Sequence, residues 1–204
     1  MKQGNSLPLP RCPHCNIAKP SLNFGASITT ADDRERNVRN WYLYKCSVCG
    51  GVTMATSDVF DARNASMSDV LEVWPAPQTV HDSIPQRART FLQQAISSIA
   101  APSGAVMLAA SAVDAMLKDK GLKEGNLYTR IGKASAEHLI TAEMAEWAHE
   151  VRLDANDQRH ADEEGPMPDE ADARKSIEFT LALAQFLFVL PARVADGRAR
   201  ASKG

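Results

Sequence analysis

The hydrophobic pattern changes period near residue 83. Before it, apolar residues alternate with polar ones in short runs. After it, they recur every three or four residues. The alternating runs predict a strand near Leu22–Thr29, a charged turn over Ala31–Asn40, a second strand at Trp41–Lys45 and a third at Val52–Thr56. The helical period predicts a first helix capped by Ser83, with Ala88, Phe91, Leu92, Ala95, Ile96 and Ile99 on one buried face. Pro102-Ser-Gly104 breaks it. A second helix then presents Ala105, Leu108, Ala109, Ala112, Val113, Met116 and Leu117, and Gly121 stops it. Asn126 caps a short third helix and Thr141 caps a fourth. The last, Ala173–Ala195, is apolar nearly all round from Ile177 to Leu190, so it belongs at the centre of a bundle or at a subunit interface. The expected class is mainly α: an antiparallel helical bundle over 83–195, preceded by a small β ribbon over 11–60. Residues 1–10, proline-rich and polar, read as a flexible arm. Residues 61–82 read as a linker in which Trp74 is a candidate anchor, and 196–204 as a disordered tail.

Cysteine usage sharpens the first part. All four cysteines fall in two C-x-x-C pairs, Cys12/Cys15 and Cys46/Cys49. Two such turns present four thiolates, which satisfy tetrahedral Zn²⁺ and leave no open position for catalysis. The expected cofactor is therefore structural zinc, and a segment this small needs such a staple to fold. Two pairs in a ribbon-like setting argue against a redox dithiol. His14, between two cysteines, is an alternative ligand or a solvated turn residue.

Charge narrows the partners. The net charge is −2, so no overall basic field draws the chain onto nucleic acid or lipid. A local patch remains: Arg34, Arg36 and Arg39 in the ribbon's turn stand beside Trp41, a pairing that contacts phosphates and stacks on bases in nucleic-acid-binding proteins. The same turn carries as many acids as arginines, and its aromatics also serve as ribbon core. The start lacks the apolar stretch of a signal peptide, and the Ile177–Leu190 run is too short to span a bilayer, so the expectation is a cytoplasmic protein with no membrane contact. No phosphate-binding glycine loop is present, and His149-Glu150 does not continue into a second zinc-ligand histidine.

The densest polar run is Trp147–His160. On a helix, His149, Arg152, Asn156 and Arg159/His160 share one face. Such a face is either a site or a polar lock between packed helices. IPQRARTFLQQAI, AVMLAASAVDAMLKDKG with its acidic Asp114, and WAHEVRLDANDQRHAD with Arg152, Asn156 and His160 resemble stretches of a bacterial family known as domain of unknown function 4145, which looks like a branch of the HEPN helical-bundle superfamily. An N-terminal zinc ribbon also occurs in that family. The resemblance implies a homodimer whose relatives stand alone or join restriction-type and other nucleic-acid-handling proteins. In catalytic HEPN proteins an Arg and a His cleave RNA without metal across the dimer interface, four to six residues apart. Here seven residues lie between Arg152 and His160, and an acidic loop follows them. The leading expectation is a dimeric zinc-ribbon/HEPN-like module that binds a macromolecular partner, RNA or DNA among the candidates, in bacterial defence or regulation. One alternative is a metal-independent endoribonuclease using Arg152, Asn156 and His160. The other is a purely structural protein–protein adaptor.

Overall fold

The computed structural model describes residues 1–57, 69–76, 80–160 and 167–202, with the side chains of 156–160 excepted. The chain divides into two compact units, Met1–Thr79 and Val80–Gly204. The architecture is mainly α with an N-terminal β region, as the change of period predicts.

The first unit is a four-stranded antiparallel sheet in sequential order: β1 (Leu22–Thr30), β2 (Arg39–Cys46), β3 (Val52–Ser57) and β4 (Glu72–Trp74). The first three match the alternating runs closely. The register opposes Tyr42 to Ala55 and Tyr44 to Thr53, and a bulge between Phe24 and Ala26 re-aims β1. One face buries Tyr44 and Ala55 in a small core with Leu7, Leu9 and Leu22. Two expectations change here. Residues 1–10 are no arm: Leu7 accepts a place in the core, its amide donates to the Leu22 carbonyl, and the Phe24 amide donates to Asn5. Gln3 is buried, donating to the carbonyls of Ala55 and Asn40 and accepting from the Ser57 hydroxyl. Part of the stretch assigned to the linker is sheet, since β4 pairs with β3. Trp74 packs on Trp41, ring centroids 5.5 Å apart, within this unit. The rest of that linker at 61–68 and 77–79 lies outside the described residues.

The second unit comprises α1 (Gln86–Ser97), α2 (Pro102–Asp119), α3 (Leu127–Ala136), α4 (Ala142–His160) and α5 (Glu170–Ala184), which runs through a π-helical turn, Gln185–Val189, into α6 (Leu190–Ala201). Ser83 does not cap α1, whose N-terminus begins after Pro85 without a side-chain cap. Pro102 starts α2 rather than breaking the chain before it, because proline suits the first helical turn. Asn126 accepts from the Thr129 amide, Thr141 from the Met144 amide, and Asp169 and Asp172 form a reciprocal capping box on α5.

The hub is α2, not the last helix. It packs against α1, α3, α4 and α5, and its buried alanines 105, 109, 110 and 112 let neighbours approach on several sides. α5 packs on it and buries Ile177, Phe179 and Leu183, and the π turn still buries Leu187, Phe188 and Val189. Beyond the turn α6 has no buried residue. The helix is continuous from Glu170 to Ala201, past the expected end and through most of the expected tail. By length and composition alone it could cross a membrane, with a mean hydropathy of 1.6 in its most apolar window. Forty-four per cent of that window is buried inside the bundle, and a core helix passes the same test.

Candidate metal centre and polar helix face

The two C-x-x-C turns converge. The four sulfur atoms of Cys12, Cys15, Cys46 and Cys49 all lie within 4.8 Å of one another. Metal–sulfur bonds of about 2.3 Å in a tetrahedron place sulfurs about 3.8 Å apart, and Cys12 Sγ and Cys49 Sγ are 3.9 Å apart. Each turn is built alike. The Cys12 carbonyl accepts from the Asn16 amide and the Cys46 carbonyl from the Gly50 amide. The residue after each second cysteine takes a left-handed backbone, Asn16 at φ 57° and Gly50 at φ 73°, as Asn and Gly do most readily. Backbone amides of His14 and Gly51 point at the sulfurs of Cys12 and Cys49.

The electrostatics suit a cation. Burial raises the Cys46 thiol, but the amides of Cys49 and Val48 donate to its sulfur and bring it down to about 7. Burial, with the neighbouring Cys49 and Cys12 sulfurs, pushes the Cys15 thiol up to about 12. One thiolate is already favoured, and crowding holds a proton on its neighbour; a bound cation removes that conflict. His14 is neither ligand nor merely solvated. Its Nε2 lies 2.8 Å from the Val52 carbonyl, and its ring covers Gly51, where any Cβ would sit 2.5 Å from it. It clasps one turn to the other.

The β1–β2 hairpin presents the arginines. Asp32 accepts from the amides of Arg34 and Arg36 and from the Asn37 side chain, which fixes the tip and holds the Asp32 carboxyl below its usual range. Arg34, Arg36 and Arg39 are exposed. They form no ion pair among the described residues. Trp41 is half-buried, its Nε1 donating to Thr30 Oγ1 at 2.7 Å and its ring against Trp74. It braces the hairpin base.

On α4 the apolar side is Ala145, Ala148, Val151 and Ala155. His149 and Arg152 both meet Tyr128 of α3: the imidazole lies 4.8 Å from its ring centroid and the guanidinium carbon 5.3 Å. Burial first, then the Arg152 charge, holds the His149 imidazole below its ordinary value. His149 Nδ1 and Arg152 Nε are buried without hydrogen-bond partners among the described residues. This half of the polar face is a stacked lock between two helices. Asn156 and His160 continue α4, but their side chains lie outside the described residues.

Asp114 pairs with Arg130 on α3. Arg130 Nη1 donates to Asp114 at 2.6 Å, and Nη2 donates to the carbonyls of Lys123 and Gly125. Lys118 meets the same carboxylate at 2.6 Å. Arg130 was invisible as a key residue in sequence; the one signal was its spacing, which aligns it with Leu127, Ile131 and Ala134 on the buried side of α3.

A family model described as Domain of unknown function (DUF4145) matches residues 92–200. No curated protein and no solved structure matches the chain.

Proposed function

The chain belongs to the family described as a domain of unknown function, DUF4145, and from that membership and the geometry above we propose a non-catalytic binding module. Its ribbon holds a structural Zn²⁺ on Cys12, Cys15, Cys46 and Cys49. Its hairpin lays Arg34, Arg36 and Arg39 along a nucleic-acid backbone, with Trp41 bracing the platform. Its helical unit takes an HEPN-like arrangement and pairs with a second copy. The observation that carries the nucleic-acid reading is the hairpin: three exposed guanidiniums, without ion pairs to described residues, stand on a tip fixed by Asp32. Unpaired cations on a rigid loop cost no broken salt bridge on meeting phosphate.

The test is fluorescence anisotropy with labelled RNA and DNA across salt concentrations. Three phosphate contacts give a slope of log K against log salt of about −2 for single strands and about −2.7 for duplex. Replacing all three arginines by glutamine should flatten that slope and leave the far-ultraviolet circular dichroism unchanged. A wild-type protein that binds neither nucleic acid at low salt sinks this reading. RNA cleavage in EDTA, abolished by Arg152→Ala and His160→Ala, would put the endoribonuclease alternative in its place.

The dimer reading rests on a second feature. Phe186, Leu190 and Val194 follow one another by about a turn and remain 41%, 45% and 60% exposed. Apolar side chains in file on the exposed face of a helix mark an association surface. Sedimentation at micromolar concentration should give a dimer for wild type and a monomer for Leu190→Glu/Val194→Glu, since carboxylates cannot be buried there unpaired. A wild-type monomer would overturn it.

A further inference from the structure

A second candidate site opens around Asp114. Pro85 and α1 form one wall of a cleft of about 820 Å³, α2 its floor, and the start of α3 its other wall. That volume lies within the roughly 300–1,000 Å³ of small-molecule sites. Its apolar lining comes from Pro85, Phe91, Ala110, Ala115 and Leu127. Its cations are Arg87, Lys118, Lys123 and Arg130, against the two carboxylates Asp114 and Asp119. In a chain with a net charge of −2 this is a local excess of positive charge.

The arrangement keeps that excess available. Arg130 is 8% exposed, and its terminal nitrogens are occupied by Asp114 and the carbonyls of Lys123 and Gly125. Asp114 is therefore already compensated from inside. Lys118 is a second cation on the same carboxylate, on its solvent side, and is half-exposed. It can turn to an incoming anion without leaving Asp114 unpaired. The cap and first residue of α3, Asn126 and Leu127, also line the cleft, so the positive end of that helix dipole faces it. Arg87 lies over the Phe91 ring, its guanidinium carbon 5.9 Å from the centroid.

We propose that this cleft binds a small organic anion. A phosphate or carboxylate meets Lys118 and Lys123 at the rim, and a flat apolar body lies against Phe91 and Leu127. Arg130 is a positioning residue: it holds Asp114 and the Lys123–Gly125 turn in place.

The test uses the full chain and three probes, phenyl phosphate, inorganic phosphate and benzoate, titrated by calorimetry and ligand-observed NMR. Phenyl phosphate is expected to saturate at about 1 mM, the range of a small fragment, and inorganic phosphate to bind at least about tenfold more weakly because it lacks the apolar body. Benzoate binding near phenyl phosphate would assign carboxylates to the site; much weaker binding would assign phosphates. Lys118→Gln/Lys123→Gln should weaken phenyl phosphate about tenfold or more. Ala115→Phe, which fills the cleft and leaves charge alone, should abolish saturation. Circular dichroism checks that both variants keep their helices. The proposal is overturned if no probe saturates, if inorganic phosphate binds as well as phenyl phosphate, or if both folded variants bind like wild type.

Discussion

Removing the metal, or replacing Cys46 with Ser, is expected to unfold the first unit and leave the helices standing. The reason is the size of its core. Its buried apolar residues are Leu7, Leu9, Leu22, Tyr44 and Ala55, together with Cys12 and Cys46 of the proposed metal site. So small a core cannot offset the conformational entropy of the ordered chain around it. A structural zinc supplies about 10–16 kcal/mol at neutral pH, far more than a small domain's net stability. The stacked Trp41 and Trp74 give a near-ultraviolet signal that reports the first unit alone in a Trp147→Phe background, and the far-ultraviolet helical signal arises almost entirely from the second unit. A chelator should collapse the first and spare the second, with about one zinc released per chain. Acid should act in the same direction, because the ligands must be thiolates and protons compete with the metal for them. Persistence of the tryptophan signal in excess chelator would rule out the metal as the staple.

Legibility followed the range of the interactions. The two C-x-x-C turns, the first three strands and the caps Asn126 and Thr141 depend on residues a few positions apart, and local spacing carries them. The clasp of His14 over Gly51 spans 37 positions and has no pattern. Gln3 and Leu7 looked like loop because prolines flank the arm, yet Gln3 meets the carbonyls of Asn40 on β2 and Ala55 on β3, and the Leu7 amide pairs with Leu22 on β1. The apolar richness of 177–190 pointed to the last helix as the centre or as a subunit interface. Hydrophobicity does not report packing density, however: α2 is central because alanines give its neighbours close access. On α4 the helical period grouped His149 with Arg152 correctly, but Tyr128, the ring both rest on, comes from another helix.

Replacing Asp114 with Ala is expected to cost the second unit up to about 3 kcal/mol, the lower end of what removing one partner of a buried pair does, because the Asp114 side chain is 24% exposed. Arg130 would keep only two carbonyls, and its side chain is 10% exposed, so its charge would lose its carboxylate and be left with the little water that reaches it from the cleft. Arg130→Met should cost less. The carboxylate left behind is 24% exposed and retains Lys118 at 2.6 Å, while methionine fills most of the arginine's apolar volume. The carbonyls of Lys123 and Gly125 lie in an exposed turn where water replaces the guanidinium. Asp114→Leu/Arg130→Met should be less damaging than Asp114→Ala alone, because no uncompensated charge remains. Urea or thermal unfolding followed at the helical signal measures the order, and a loss of 3 kcal/mol lowers Tm by about 10 °C or more in a unit of this size. The argument concerns burial of charge, so the ranking decides it. If Arg130→Met is the more destabilising single change, the pair is held by packing and turn hydrogen bonds rather than by charge compensation, and Lys118 is not the surplus cation that the cleft beside it requires.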